Sequence, residues 1–219
     1  MTYISWALYV EGSTDASYLG VIIPRLITHL LLDLRGPPAT VPEVAVEVFG
    51  HRGGKLTLDE MAKAICRASS AFYILFVHGD TGGRALADQL HFRTCALCES
   101  VNKECDFRLD RCVVVSPNKE IESWTLADAD AIRATFGLSR NVELRNVPVK
   151  PGQVEAIHDP KALTSTLLAD FSAGRRRRSG RWPYESIAQE QDIRKLLDVP
   201  SFFDFAEGLK HALRGLGHP

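Results

Sequence analysis

At 219 residues, with 45% hydrophobic and 24% charged side chains, the chain has the make-up of a globular protein of one good-sized domain with room for a small appendage. A formal charge of −1 excludes a protein that is basic all over, but it is compatible with a local basic groove. No apolar run approaches the ~20 residues that span a bilayer, the opening Met-Thr-Tyr-Ile-Ser-Trp lacks a basic signal-peptide start, and five cysteines without secretory context fit a reducing compartment, so a cytoplasmic protein without a membrane segment is expected.

Ile4 to Val10 is β-branched and aromatic enough for a buried strand, and it ends in Glu11-Gly12. Ser13, Thr14 and Asp15 can then cap a helix carrying Tyr18, Leu19, Val21, Ile22 and Ile23, with a breaker at Arg35-Gly36-Pro37-Pro38. Val44 to Phe49 reads as a second strand. Gly50-His51-Arg52-Gly53-Gly54-Lys55 is a basic loop, followed by helical spacing from Leu56 to Ala68. Phe72 to Val77 is continuously apolar, the pattern of a central parallel strand, and ends in His78-Gly79-Asp80-Thr81-Gly82-Gly83. A helix from Arg84 to about Cys98, a strand at Cys112–Val115 and a helix from Glu120 to about Phe136 complete the alternation. The expected fold is α/β, with a mainly parallel, Rossmann-like sheet flanked by helices over residues 1–136.

Past Gly137 the texture turns irregular, then helical from Asp159-Pro160-Lys161 through Leu168, at Ile187–Leu197 and at Ser201–Leu213. Residues 137–219 are expected to form a helical C-terminal cap packed on the sheet.

Glu11, Asp80 and the Glu120/Glu122 pair each follow an apolar strand, and the carboxyl edge of a parallel sheet is where such folds place ligands. Carboxylates gathered there suit Mg²⁺ or Mn²⁺, which can polarise a phosphodiester. The same residues also suit turns and helix caps. Being two apart on a helix, Glu120 and Glu122 face different sides, and Glu122 is favoured for the site.

Val10-Glu11-Gly12-x-x-Asp15 resembles the opening motif of Toprim domains, especially those of the overcoming-lysogenization-defect (OLD) type nucleases. The strand ending His78-Gly79-Asp80-Thr81-Gly82 falls where that superfamily carries Asp-x-Asp. Glu120-Ile121-Glu122-Ser123-Trp124-Thr125-Leu126-Ala127-Asp128, Asp159-Pro160-Lys161 and Pro200-Ser201-Phe202-Phe203-x-Phe205 resemble further signatures of the Toprim-like family catalogued as domain of unknown function 4276. The resemblance implies a Toprim fold and a metal-dependent nuclease. Catalytic roles then fall to Glu11, Asp80 and Glu122, and metal contacts to Glu11, Asp80, Glu120, Glu122, Asp15 and His78. It also implies a nucleic-acid substrate, DNA or RNA, a place in anti-phage defence, and a separate ABC- or OLD-like ATPase as partner. Asp-x-Asp is not intact: either His78 stands in the first position or Gly82 in the second. That departure favours a competing class, a non-catalytic Toprim module binding nucleic acid or a protein. A small metal-dependent phosphotransferase is a third.

Two other clusters carry chemistry. Cys95, Cys98, Cys105 and Cys112 can close a structural Zn²⁺ tetrahedron, although cysteine in such positions also serves as a small buried hydrophobe. Lys55, the Arg175-Arg176-Arg177-Arg178 run and Arg181 suit a nucleic-acid backbone, or equally a solvated loop or an acidic partner. Trp182 and Tyr184 beside them can stack on bases or anchor the loop in the core.

Overall fold

The computed structural model describes residues 2–34, 36–50, 57–82, 94–172 and 180–218. The fold is α/β. Four parallel strands, β2 (Trp6–Val10), β4 (Glu47–Gly50), β5 (Ile74–His78) and β6 (Cys112–Val115), pair in the order β4-β2-β5-β6. Two short strands, β1 (Thr2–Tyr3) and β3 (Ala39–Thr40), pair beside them. β5 is buried at every position, as its unbroken apolar run requires for a strand covered on both faces.

Helices pack on both faces. On one, α1 (Ser13–Asp33) lies on β2, and α9 (Pro200–Gly215) lies on β6. On the other, α2 (Leu58–Ala68) and α3 (Cys95–Cys105) pack on Ala7, Leu75 and Val77. Thr57 starts α2 with a capping box: its hydroxyl accepts from the Glu60 amide and the Glu60 carboxylate accepts from the Thr57 amide. α1 is long and apolar enough to cross a membrane by length and composition, but Tyr18, Leu19, Ile22, Ile23, Leu26, Ile27 and Leu30 are buried against the sheet.

The helix expected from Glu120 to Phe136 is two helices, α4 (Ile121–Thr125) and α5 (Ala129–Phe136). Asp128 causes the break. Its carboxylate accepts from the amides of Asp130 and Ala131, capping α5, and is held by the Lys195 ammonium at 2.7 Å. The helix expected at Ile187–Leu197 likewise divides into α7 (Tyr184–Glu190) and α8 (Ile193–Leu196), with Asp192 capping the second. The helix expected from Arg84 to Cys98 falls largely on residues outside those described; the described helix there is α3, which starts at Cys95.

The segments after residue 137 share the main core with the sheet. Trp124 of α4 stacks on Phe205 and meets Phe202 edge-on, and its indole N–H donates to Ser201 Oγ at 2.8 Å. Gln191 ties α1 to α4 by accepting from Tyr18 O–H and donating to Trp124 O. Phe136 meets Phe171, at the end of α6 (Pro160–Ser172), at 5.0 Å and Trp182 at 5.6 Å.

The cysteines depart from expectation. Cys66 of α2 and Cys105 of α3 form a disulfide, so a fully reduced set of thiols is not what the fold holds. Cys105 is therefore not available as a zinc thiolate, and the tetrad of Cys95, Cys98, Cys105 and Cys112 does not assemble. Cys98 instead contacts Cys112 sulfur to sulfur, an interaction that, together with burial, pushes its thiol above the usual range. Denatured without reductant, the protein should titrate three thiols, and five after reduction. Five thiols in both states would overturn the disulfide. Replacing Cys66 and Cys105 by serine should cost roughly 2–4 kcal/mol in a denaturant titration.

Candidate metal and phosphodiester site

The residues at issue converge at the carboxyl edge of the sheet. β2 ends at Val10 and delivers Glu11, which stays exposed. Gly12 is the N-cap of α1, and Asp15, in the first turn, folds back to accept from its amide. A Cβ at position 12 would stand 3.1 Å from Asp15 Oδ2, which explains the glycine between the two acids. Asp15 thus caps the helix while its Oδ2 faces His78.

His78, the last residue of β5, is 1% exposed. Its Nδ1 lies 3.0 Å from Val115 O, and a carbonyl only accepts, so the ring proton sits on Nδ1. Nε2 is left with a bare lone pair, 3.7 Å from Asp15 Oδ2 and 3.6 Å from Asp80 Oδ1. Among the described residues neither Nε2 nor Asp80 Oδ1 has a hydrogen-bond partner, although both are shut off from water. Position 82 contributes differently. Gly82 adopts φ +59°, where glycine is favoured, and its amide donates to Lys119 O. Of the two alignments with Asp-x-Asp, the one pairing His78 with Asp80 puts both side chains into the cluster.

The third delivery comes from the loop after β6. Lys119, at φ 71°, donates its amide to Thr81 Oγ1 at 2.7 Å, tying this loop to the one after β5. Glu120 is the N-cap of α4, with Oε2 buried and unpartnered, and Glu122 is 4% exposed. Glu122 Oε1 accepts from the Tyr184 hydroxyl at 2.6 Å. Tyr184 therefore belongs to this cluster rather than to a base-stacking platform. Trp182 is buried too, donating to Thr125 Oγ1. Sequence offered only their neighbourhood to the arginine run as a signal, which says nothing of a partner 62 residues away. Arg181 is exposed; Lys55 and Arg175 to Arg178 lie outside the described residues.

Crowding sets the electrostatics. Burial, then Asp15 and Glu122, push the Asp80 carboxyl up to about 8. Burial and Glu122 push Asp15 up to about 6, and burial holds His78 down to about 4. Glu120 is raised by burial and by Glu122. At neutral pH the centre thus holds a neutral imidazole and a protonated Asp80.

Orphaned oxygens and a bare imidazole nitrogen are donor chemistry for a divalent cation. The nitrogen suits Mn²⁺ better than Mg²⁺, which prefers oxygen. Among the described residues, no three of these groups come together closely enough to enclose an ion as they stand.

Without added metal, Asp80 and Asp15 bind protons more tightly folded than unfolded, so stability should fall as pH rises from 6.5 towards 8.5. His78 opposes this only below about 6.5, where the unfolded ring takes a proton that the folded ring refuses. A melting temperature that drops across pH 6.5–8.5 in the wild type and stays flatter in Asp80→Asn is expected. Equal slopes would remove Asp80 as the cause.

Compared with models of known protein families, with curated proteins and with solved structures, the chain matches none. The Toprim resemblance rests on the motifs quoted above.

Proposed function

We propose that the protein is a metal-dependent phosphodiesterase of the Toprim type, acting on nucleic acid. The observation that carries this reading is the desolvated cluster around His78. Its buried carboxylates and lone-pair nitrogen repel one another until a cation or protons neutralise them. Asp80, Asp15 and His78 would hold the ion, with Glu122 fixed alongside by Tyr184. A bound Mn²⁺ or Mg²⁺ would supply charge for the phosphoryl oxygens and acidify a water. Hydrolysis would add a water across a P–O bond, with one proton leaving the attacking oxygen and one reaching the leaving oxygen. Glu11, exposed at the mouth of the cluster, is suited to the first transfer. Arg181 can meet the nucleic-acid backbone. By resemblance, an ABC- or OLD-like ATPase is a candidate partner, and the protein acts in the cytoplasm in defence against phage.

A second reading has its own observation. With His78 where an acid is expected, and no three donors among the described residues closed on an ion, the domain can instead bind nucleic acid without cutting it.

The deciding experiment is cleavage of plasmid DNA and of total tRNA with Mn²⁺, Mg²⁺ or EDTA. Metal-dependent cleavage should fall roughly 10²–10⁴-fold in Glu11→Gln and Asp80→Asn. Tyr184→Phe should lose about 10–100-fold. Cleavage indifferent to EDTA and to both acid substitutions would sink the nuclease reading. Salt-dependent binding without cleavage, in every metal and with an added ATPase partner, would establish the second.

A further inference from the structure

On the α1 side of the sheet the helical layer stops short of its edge. Val48 pairs in register with Leu8, and Leu8 faces α1, so Val48 faces the same way; Val46, two residues earlier, shares that face. Yet Val44, Val46 and Val48 are 74%, 43% and 46% exposed, and Leu32 on α1 is 81% exposed. Between Val44, Val48 and Leu32 lies a groove of about 1250 Å³. Its second wall is the flank of α1, where Ala16, Gly20, Pro24, Thr28 and Leu32 follow one another at four-residue spacing. Such a row is the ridge against which a neighbouring helix packs, and its first members are small. A Cβ built on Gly20 would meet nothing within 4 Å, so the space beside it is open. The far wall comes from α7, through Glu185, Gln189 and Glu190, and from Ile193 at the start of α8.

The volume is enough to admit a short helix. A helix about 10 Å across fills about 120 Å³ per residue, so the groove holds roughly ten residues, or three turns. The rim sets the charge of the occupant. Glu43, Glu185 and Glu190 are exposed and form no ion pair among the described residues. Asp192 is already held by Arg194, and the Arg25 guanidinium is engaged by the carbonyls of Ala188 and Gln191. The unneutralised charge around the apolar floor is therefore acidic.

We infer that this groove docks a basic amphipathic helix of a partner protein, which lies beside α1 over β4 and completes the layer. Its apolar face covers Val44, Val48 and the α1 ridge, while its lysines or arginines meet Glu43, Glu185 and Glu190. The inference does not depend on the reading of the acidic cluster, since none of these residues belongs to it.

The test uses a fluorescein-labelled helical peptide of about fourteen residues repeating Leu-Lys-Lys-Leu-Leu-Lys-Leu, and its counterpart with glutamate for lysine, against the full chain by anisotropy. Saturable binding of the lysine peptide is expected, with the glutamate peptide at least roughly tenfold weaker. Gly20→Phe, which fills open space, and Val48→Asp, at an exposed position, should each weaken binding roughly tenfold or more while melting as the wild type does. Glu185→Lys with Glu190→Lys should weaken it too. Binding unchanged in Gly20→Phe and Val48→Asp, equal affinity for the glutamate peptide, or no saturable binding would overturn the inference. So would a wild-type dimer that Gly20→Phe converts to monomer, because the occupant would then be a second copy.

Discussion

Asp15, Asp80 and Glu122 surround the buried ring of His78, and keeping carboxylates together away from water is the condition to which the rest of the site answers. The fold relieves it in several ways. The first turn of α1 lends Asp15 the positive end of its dipole and the amide of Gly12, and Tyr184 donates to Glu122. Val115 O accepts from the Nδ1–H of His78 and so turns the other nitrogen, bare, towards the acids. What these contacts leave over is carried by protons at neutral pH, and a cation can displace them.

Holding such a cluster requires loops that do not yield. The loop after β6 is fixed by Thr81 on one side and by α9 on the other, where Ser201 accepts from both the Asn118 amide and the Trp124 indole. Phe202 and Phe205 then lock Trp124 between them. The C-terminal helices are thus less a cap than a second support for the carboxyl edge of the sheet. The late Pro-Ser-Phe-Phe-x-Phe segment has a structural reason to accompany the acidic motifs, since it fixes the loop that carries Glu120 and Glu122.

The parts of this arrangement that were legible in the sequence are those encoded locally. Unbroken apolar runs at Phe72–Val77 and Cys112–Val115 announce parallel strands, and Glu11, Asp80 and Glu122 can be placed because each follows such a run at a turn. Illegible features depend on contacts between distant segments. Asp128 breaks a continuous helical pattern because Lys195 meets it across 67 residues. Cys66 finds Cys105 because α2 and α3 pack side by side, which no spacing rule for zinc anticipates. Tyr184 joins the acids only because α7 lies against α1 and α4. The groove over β4 was hidden for another reason: it is the lack of a helix, and no residue announces it.

The ring of Phe136 has one more consequence. Phe171 and Trp182 stand on either side of the arginine run, and both rest on that ring. The two feet of the segment are therefore clasped to one point of the core, whatever lies between them. A protease cut within the run would leave a nicked protein whose fragments stay together. Phe136 thus anchors both ends of the basic segment to the core it shares with α5 and α6.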